Sequence, residues 1–220
     1  MLMSLSILFQ DELSGFYRSR AMLALLVGLP VLVVLVFLAS PDTSGMPLTA
    51  FSAMIASTLA GTLAAVMVAV GMINEKNKKV YDLFLVRPVK GYQLIMAKFS
   101  AVFLFVTLAV IISIGVGMAT DMYKGNPITG EGLNVLAKSV AMSISMIAVA
   151  SAVGVVIGAA ISSILVGVIL VLYGGNQLVG LMALLSLKLS DNIFIEMIPS
   201  LALSVLLLVV AVEVFGRMRK

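Results

Sequence analysis

Six apolar runs, each near the length of a membrane crossing, limit this chain to one kind of fold. They lie at about 21–39, 50–73, 94–118, 133–157, 163–187 and 199–216. A helix rises about 1.5 Å per residue, so roughly 20 such residues cross a hydrocarbon layer of about 30 Å. Backbone N–H and C=O groups find no water there, and an α-helix satisfies them internally. A barrel would need alternation of period two, which the runs lack. The sequence predicts an all-α, polytopic membrane protein: six transmembrane helices in a single domain over residues 1–220. Composition agrees, since 62% hydrophobic and 11% charged residues, with a mean hydropathy of +1.21, leave more apolar surface than one water-soluble core could hide.

Residues 133–187 are too many for one crossing. Gly158-Ala159-Ala160-Ile161-Ser162-Ser163 divides them almost equally. A turn at Gly174-Gly175-Asn176-Gln177 would leave about ten residues for the next crossing, below the roughly 17 required. The first run is expected to be retained and not cleaved as a signal. Cleavage after Ala39 or Ser40 would place Phe37 or Leu38 where a small residue is needed.

Ahead of that run, Leu5, Leu8, Phe9, Leu13 and Phe16 recur at helical spacing, with Gln10, Asp11, Ser14 and Arg18 on other faces. Residues 4–19 therefore predict an amphipathic helix lying in the membrane surface. Of the 14 Lys and Arg residues, Lys124, Lys138 and Lys188 fall on one side of this topology and the other 11 on the opposite side. That asymmetry predicts cytoplasmic N- and C-termini. The net charge of +4 thus reads as a topology signal, with no nucleic-acid partner expected. Cys and His are absent, which removes disulfides, thiol nucleophiles, imidazole bases and the commonest zinc ligands.

The loop between the second and third runs carries most of the charge. Residues 75–86 predict a short amphipathic helix. Glu75 stands four residues before Lys79, and Lys78 four before Asp82, while Val80, Leu83 and Phe84 form one stripe. Arg87-Pro88 then stops it. From periodicity alone this is an interfacial helix obeying the positive-inside rule.

Glu75, the segment through Leu85, Arg87-Pro88-Val89 and Lys98 at the entry to the third run resemble the corresponding loop of type-2 ABC exporter permeases. The surface helix ending in Arg18-Ser19-Arg20, the six spans and the basic tail from Arg217 to Lys220 extend the likeness over nearly the whole chain. The Gly-Thr that usually follows the loop acid is replaced by Lys78-Lys79-Val80, and the segment 188–198 before the last span is short. The resemblance implies a permease subunit in the plasma (inner) membrane of a prokaryote, pairing with a like subunit as a homodimer or heterodimer. It implies a coupling helix docked on a separate cytoplasmic ABC ATPase, with Val80, Leu83 and Phe84 at the contact and Glu75, Lys79 and Arg87 fixing register. The chain has no G-x-x-x-x-G-K-[ST] loop, so it is expected to hold no cofactor and to be no enzyme itself. ATP and Mg would belong to the partner.

Other features have both structural and functional readings. Ala53, Ser57, Gly61, Ala65 and Ala69, and then Ala150, Gly154, Gly158 and Ser162, recur every four residues, a pattern that lets helix backbones approach closely within or between subunits. Tyr173-Gly174-Gly175-Asn176-Gln177 is either a kinked pathway-lining segment, through Asn176 and Gln177, or an interhelical hydrogen-bonding site. Lys138 and Glu213 lie near span ends, where the one snorkels and the other pairs with Arg217. The competing functions are a gradient-driven carrier, which should place acids near mid-membrane, and an accessory membrane subunit.

Overall fold

A computed structural model describes residues 2–39, 48–80, 91–125, 130–175, 177–178, 180 and 193–218. Among these residues every regular element is helical. The elements are α1 (Leu2–Arg18), α2 (Arg20–Ala39), α3 (Leu48–Asn77), α4 (Gly91–Tyr123), α5 (Gly130–Ala160), α6 (Ile164–Leu170), a π-helical turn (Val171–Gly175) and α7 (Ile193–Met218). Five of them, α2, α3, α4, α5 and α7, are long and apolar enough to cross a membrane. The expected fifth crossing is described as the shorter apolar stretch Ile164–Gly175. After Ala160 the chain leaves helical structure for residues 161–163, the end of the Gly158–Ser163 turn segment.

The centre of the bundle is the pair α3 and α5. Their most apolar windows are 50% and 67% buried, against 22% for α2 and 28% for α7. Small residues explain the difference. Gly61 faces Ala150, Gly154 lies against the Ala65 backbone and Gly158 against Ala69, so both helices step by four residues in the same direction and run parallel. The two small-residue stripes thus pack against each other within one chain. Ser57 Oγ lies 2.5 Å from Ser143 Oγ, a hydroxyl pair of the kind that joins helices in lipid.

Met22, Leu25 and Leu29 of α2, Ile95, Val102 and Val106 of α4, and Leu208 and Ala211 of α7 complete the core around this pair. Gly167 and Gly175 sit beside Ile157 and Val153 respectively, so the α6 stretch returns antiparallel to α5. Large apolar side chains such as Leu104, Leu108, Leu165, Val205 and Leu206 stand exposed around the outside, as lipid contact requires.

Candidate functional site

Two polar assemblies mark the ends of α4. At its far end the buried Asp121 carboxylate accepts a hydrogen bond from the Thr49 backbone N–H at 2.8 Å and another from Thr49 Oγ1. Thr49 lies in the first turn of α3, whose N–H groups have no partner within their own helix. Asp121 therefore caps α3 from a different helix and places negative charge at the positive end of its dipole. At the near end stands Lys98, buried at 4% exposure. Lys98 and Asp121 are separated along α4 by roughly 35 Å at 1.5 Å per residue, a little more than a hydrocarbon layer.

Lys98 is the hub of the near assembly. Its Nζ donates to Glu12 Oε1 at 2.6 Å and to Glu75 Oε1 at 2.5 Å, joining α1, α3 and α4 through one ammonium group. Glu75 is therefore committed to Lys98 on the next helix and not, as its spacing suggested, to Lys79. The two residues that follow Glu75 reach elsewhere. Lys76 Nζ approaches the Ala159 carbonyl at 3.4 Å, and Asn77 Nδ2 donates to the Ser162 carbonyl at 3.0 Å. Ala159 belongs to the last turn of α5, whose carbonyls lack intrahelical donors and carry the negative end of the dipole. Three successive residues at the end of α3 thus hold α1 and α4, the end of α5, and the turn that leads into α6.

The helix itself stops at Asn77. Lys78 and Lys79 form a turn closed by Lys79 N–H to Lys76 O, Lys79 lies in the left-handed region at φ 54°, and Val80 is the last residue described before Gly91. Glu75 is accordingly the last turn of the span helix, and the break comes at Lys78-Lys79. A Cβ in that conformation costs about 1–2 kcal/mol, whereas Gly carries an extra unfolded-state entropy of about 0.5–1 kcal/mol. Lys79→Gly is expected to stabilise the protein by about 0.5–1 kcal/mol and Lys79→Ala to gain nothing, measured by denaturant titration in detergent.

Val80 is half-buried and lines a cavity of about 590 Å³ together with Leu8, Asp11, Glu12, Glu75 and Leu94. Leu83, Phe84, Arg87 and Asn176 lie outside the described residues. Gln177 is exposed, just beyond the π-helical turn. Burial pushes the Glu12 carboxyl above its ordinary value, with the Lys98 charge and hydrogen bond opposing that rise and the charges of Glu75 and Asp11 adding to it.

Sequence reasoning found Lys98 and Glu75 but missed both Glu12 and Asp121. Glu12 had a signal: it stands four residues after Leu8 and four before Phe16, on the apolar stripe of α1, where an acid requires a partner. Asp121 lies in the last turn of α4, and only its tertiary neighbour Thr49 reveals its role.

No curated protein matches the chain. Residues 8–176, which contain both assemblies, match the family model described as ABC-2 family transporter protein.

Proposed function

Because the chain belongs to the ABC-2 transporter family, we propose that this multi-pass membrane protein is the permease subunit of an ATP-binding cassette exporter, worked by a separate cytoplasmic ATPase. The observation that carries the mechanism is the clasp at Glu75, Lys76 and Asn77, through which the end of α3 holds three other parts of the bundle. In this reading the coupling helix follows the Lys78-Lys79 break, and Leu83 and Phe84 dock on the ATPase while Lys79 and Arg87 fix register. Closure of the ATPase around ATP and Mg displaces the coupling helix. Glu75 then passes the displacement to α4 and α1, while Lys76 and Asn77 pass it to α5 and α6.

Alternating exposure of a pathway between two such subunits, identical or not, would follow. The stretch 163–187 would form the fifth of the six crossings, with Asn176 and Gln177 toward the pathway. α1 lies in the membrane surface, and both termini face the cytoplasm of a prokaryote. Parallel packing of α3 and α5 supports this topology, since two spans separated by one intervening crossing must run the same way.

The test is purification of the tagged chain from its own membranes. A soluble ATPase is expected in stoichiometric amount, and Leu83→Asp with Phe84→Asp is expected to lose it, together with transport, while remaining inserted. An undiminished ATPase in that double variant would remove the docking model. Recovery of the chain without any ATPase would favour the carrier or accessory-subunit reading.

A further inference from the structure

Glu12 and Glu75 present two carboxylates to a single ammonium, at 2.6 and 2.5 Å, and Asp11 faces the same cavity. Among the described residues Lys98 is the cation that meets both Glu12 and Glu75, one positive charge for two acids. Glu12 and Glu75 are only partly exposed, and two carboxylates competing for one cation favour a proton on one of them. Glu12 is the better placed to carry it, its side chain being 22% exposed against 31% for Glu75.

From this cluster we infer that Glu12 is a proton-controlled latch: α1 seats on α4 while Glu12 is protonated, and the seat loosens when Glu12 ionises. A neutral Glu12 still accepts the Lys98 hydrogen bond, so Lys98 keeps one full charge partner in Glu75 and one neutral acceptor in Glu12. An ionised Glu12 adds a desolvation cost that Lys98, already shared, offsets only in part. Facing Glu12 are Asp11 on α1, Glu75 on α3 and Lys98 on α4. From α2, the other helix packed on α1 among the described residues, Arg20 is exposed.

The sign follows from the direction of the Glu12 displacement. The seated form holds the proton more tightly than the free side chain with its ordinary value of 4.5. The contribution of protonated Glu12 to seating is complete below that value and is lost as pH rises through the higher value of the seated form. The latch concerns the resting conformation of the chain and does not depend on what it transports.

The absence of native cysteine makes the test direct. Spin labels at Ser14→Cys on α1 and Tyr92→Cys on α4, both at exposed positions, report the α1–α4 distance in the full chain reconstituted in lipid nanodiscs. As the pH is raised from about 4, below the ordinary carboxyl value, to about 8, the wild-type background is expected to shift from one short distance toward a longer population, grown several-fold at the higher pH. Glu12→Gln, which keeps the acceptor and cannot ionise, is expected to hold the short distance throughout. A wild-type distribution unchanged with pH, or a Glu12→Gln variant that makes the same transition, would overturn the latch.

Discussion

Lys98→Met is expected to be among the most damaging single substitutions in the chain, lowering its resistance to denaturant by about 3 kcal/mol. The methionine fills much of the same volume, so lost packing is a minor part of the effect. The loss comes from the two carboxylates left behind. Glu12 and Glu75 meet at a buried ammonium, and with it gone Glu75, and Glu12 wherever it is ionised, must either remain charged without a counter-ion or take up a proton. Removing one partner of a buried ion pair costs about 3–5 kcal/mol; the partial exposure of both acids places this case at the low end.

The companion variants separate charge from shape. Lys98→Arg should retain most of the stability, since the guanidinium can serve both acids. The triple variant Lys98→Met, Glu12→Gln, Glu75→Gln should recover most of the loss, because no charge is stranded. Denaturant titration followed by circular dichroism in one detergent would compare the three. A triple variant as unstable as Lys98→Met alone would show that the lysine acts through its packing and not through the acids.

What the sequence could reveal follows from the range of each signal. Apolar runs and small-residue spacing are local, and they suffice for an all-helical membrane bundle and for the stripes that α3 and α5 bring together. The direction of a charged side chain is not local. Glu75 has a lysine at the favoured i,i+4 spacing, yet its carboxylate goes to Lys98 on the next helix, because α3 stops before Lys79 and the bundle offers a buried cation nearby. Glu12 and Lys98 are 86 residues apart, and Thr49 and Asp121 are 72 apart; no periodicity links such pairs. In both cases the legible clue is a polar residue where an apolar one would be expected. Finding its partner requires the packed helices.

Gly154→Ala should destabilise the bundle by about 1–3 kcal/mol although Ala is the better helix former. A Cβ at this position would lie 2.5 Å from the Ala65 carbonyl oxygen and 2.7 Å from the Ala65 Cα, so the contact is with backbone and no rotamer change relieves it. Replacing Gly by Ala in a helix interior gains about 1 kcal/mol from propensity. Forcing α3 and α5 apart opposes this by disturbing a seam that runs from Ser57–Ser143 to Asn77–Ser162. The balance between the two terms is expected to change along the seam. At Gly61 the nearest atom is Ala150 Cβ at 3.4 Å, an ordinary contact, so propensity wins and Gly61→Ala should be neutral or stabilising by up to about 1 kcal/mol. At Gly158 a Cβ would meet Met72 Cβ at 2.9 Å and Ala69 Cα at 3.1 Å, which places Gly158→Ala between the two. Adding Ala65→Gly to Gly154→Ala should not rescue it, because the obstructing atoms remain in any residue at 65. Denaturant titration of the four variants should therefore rank Gly61→Ala above Gly158→Ala above Gly154→Ala, with the double variant no better than the last. Equal effects at Gly61 and Gly154 would mean that propensity alone governs the seam and that the close approach of α3 and α5 does not hold the bundle together.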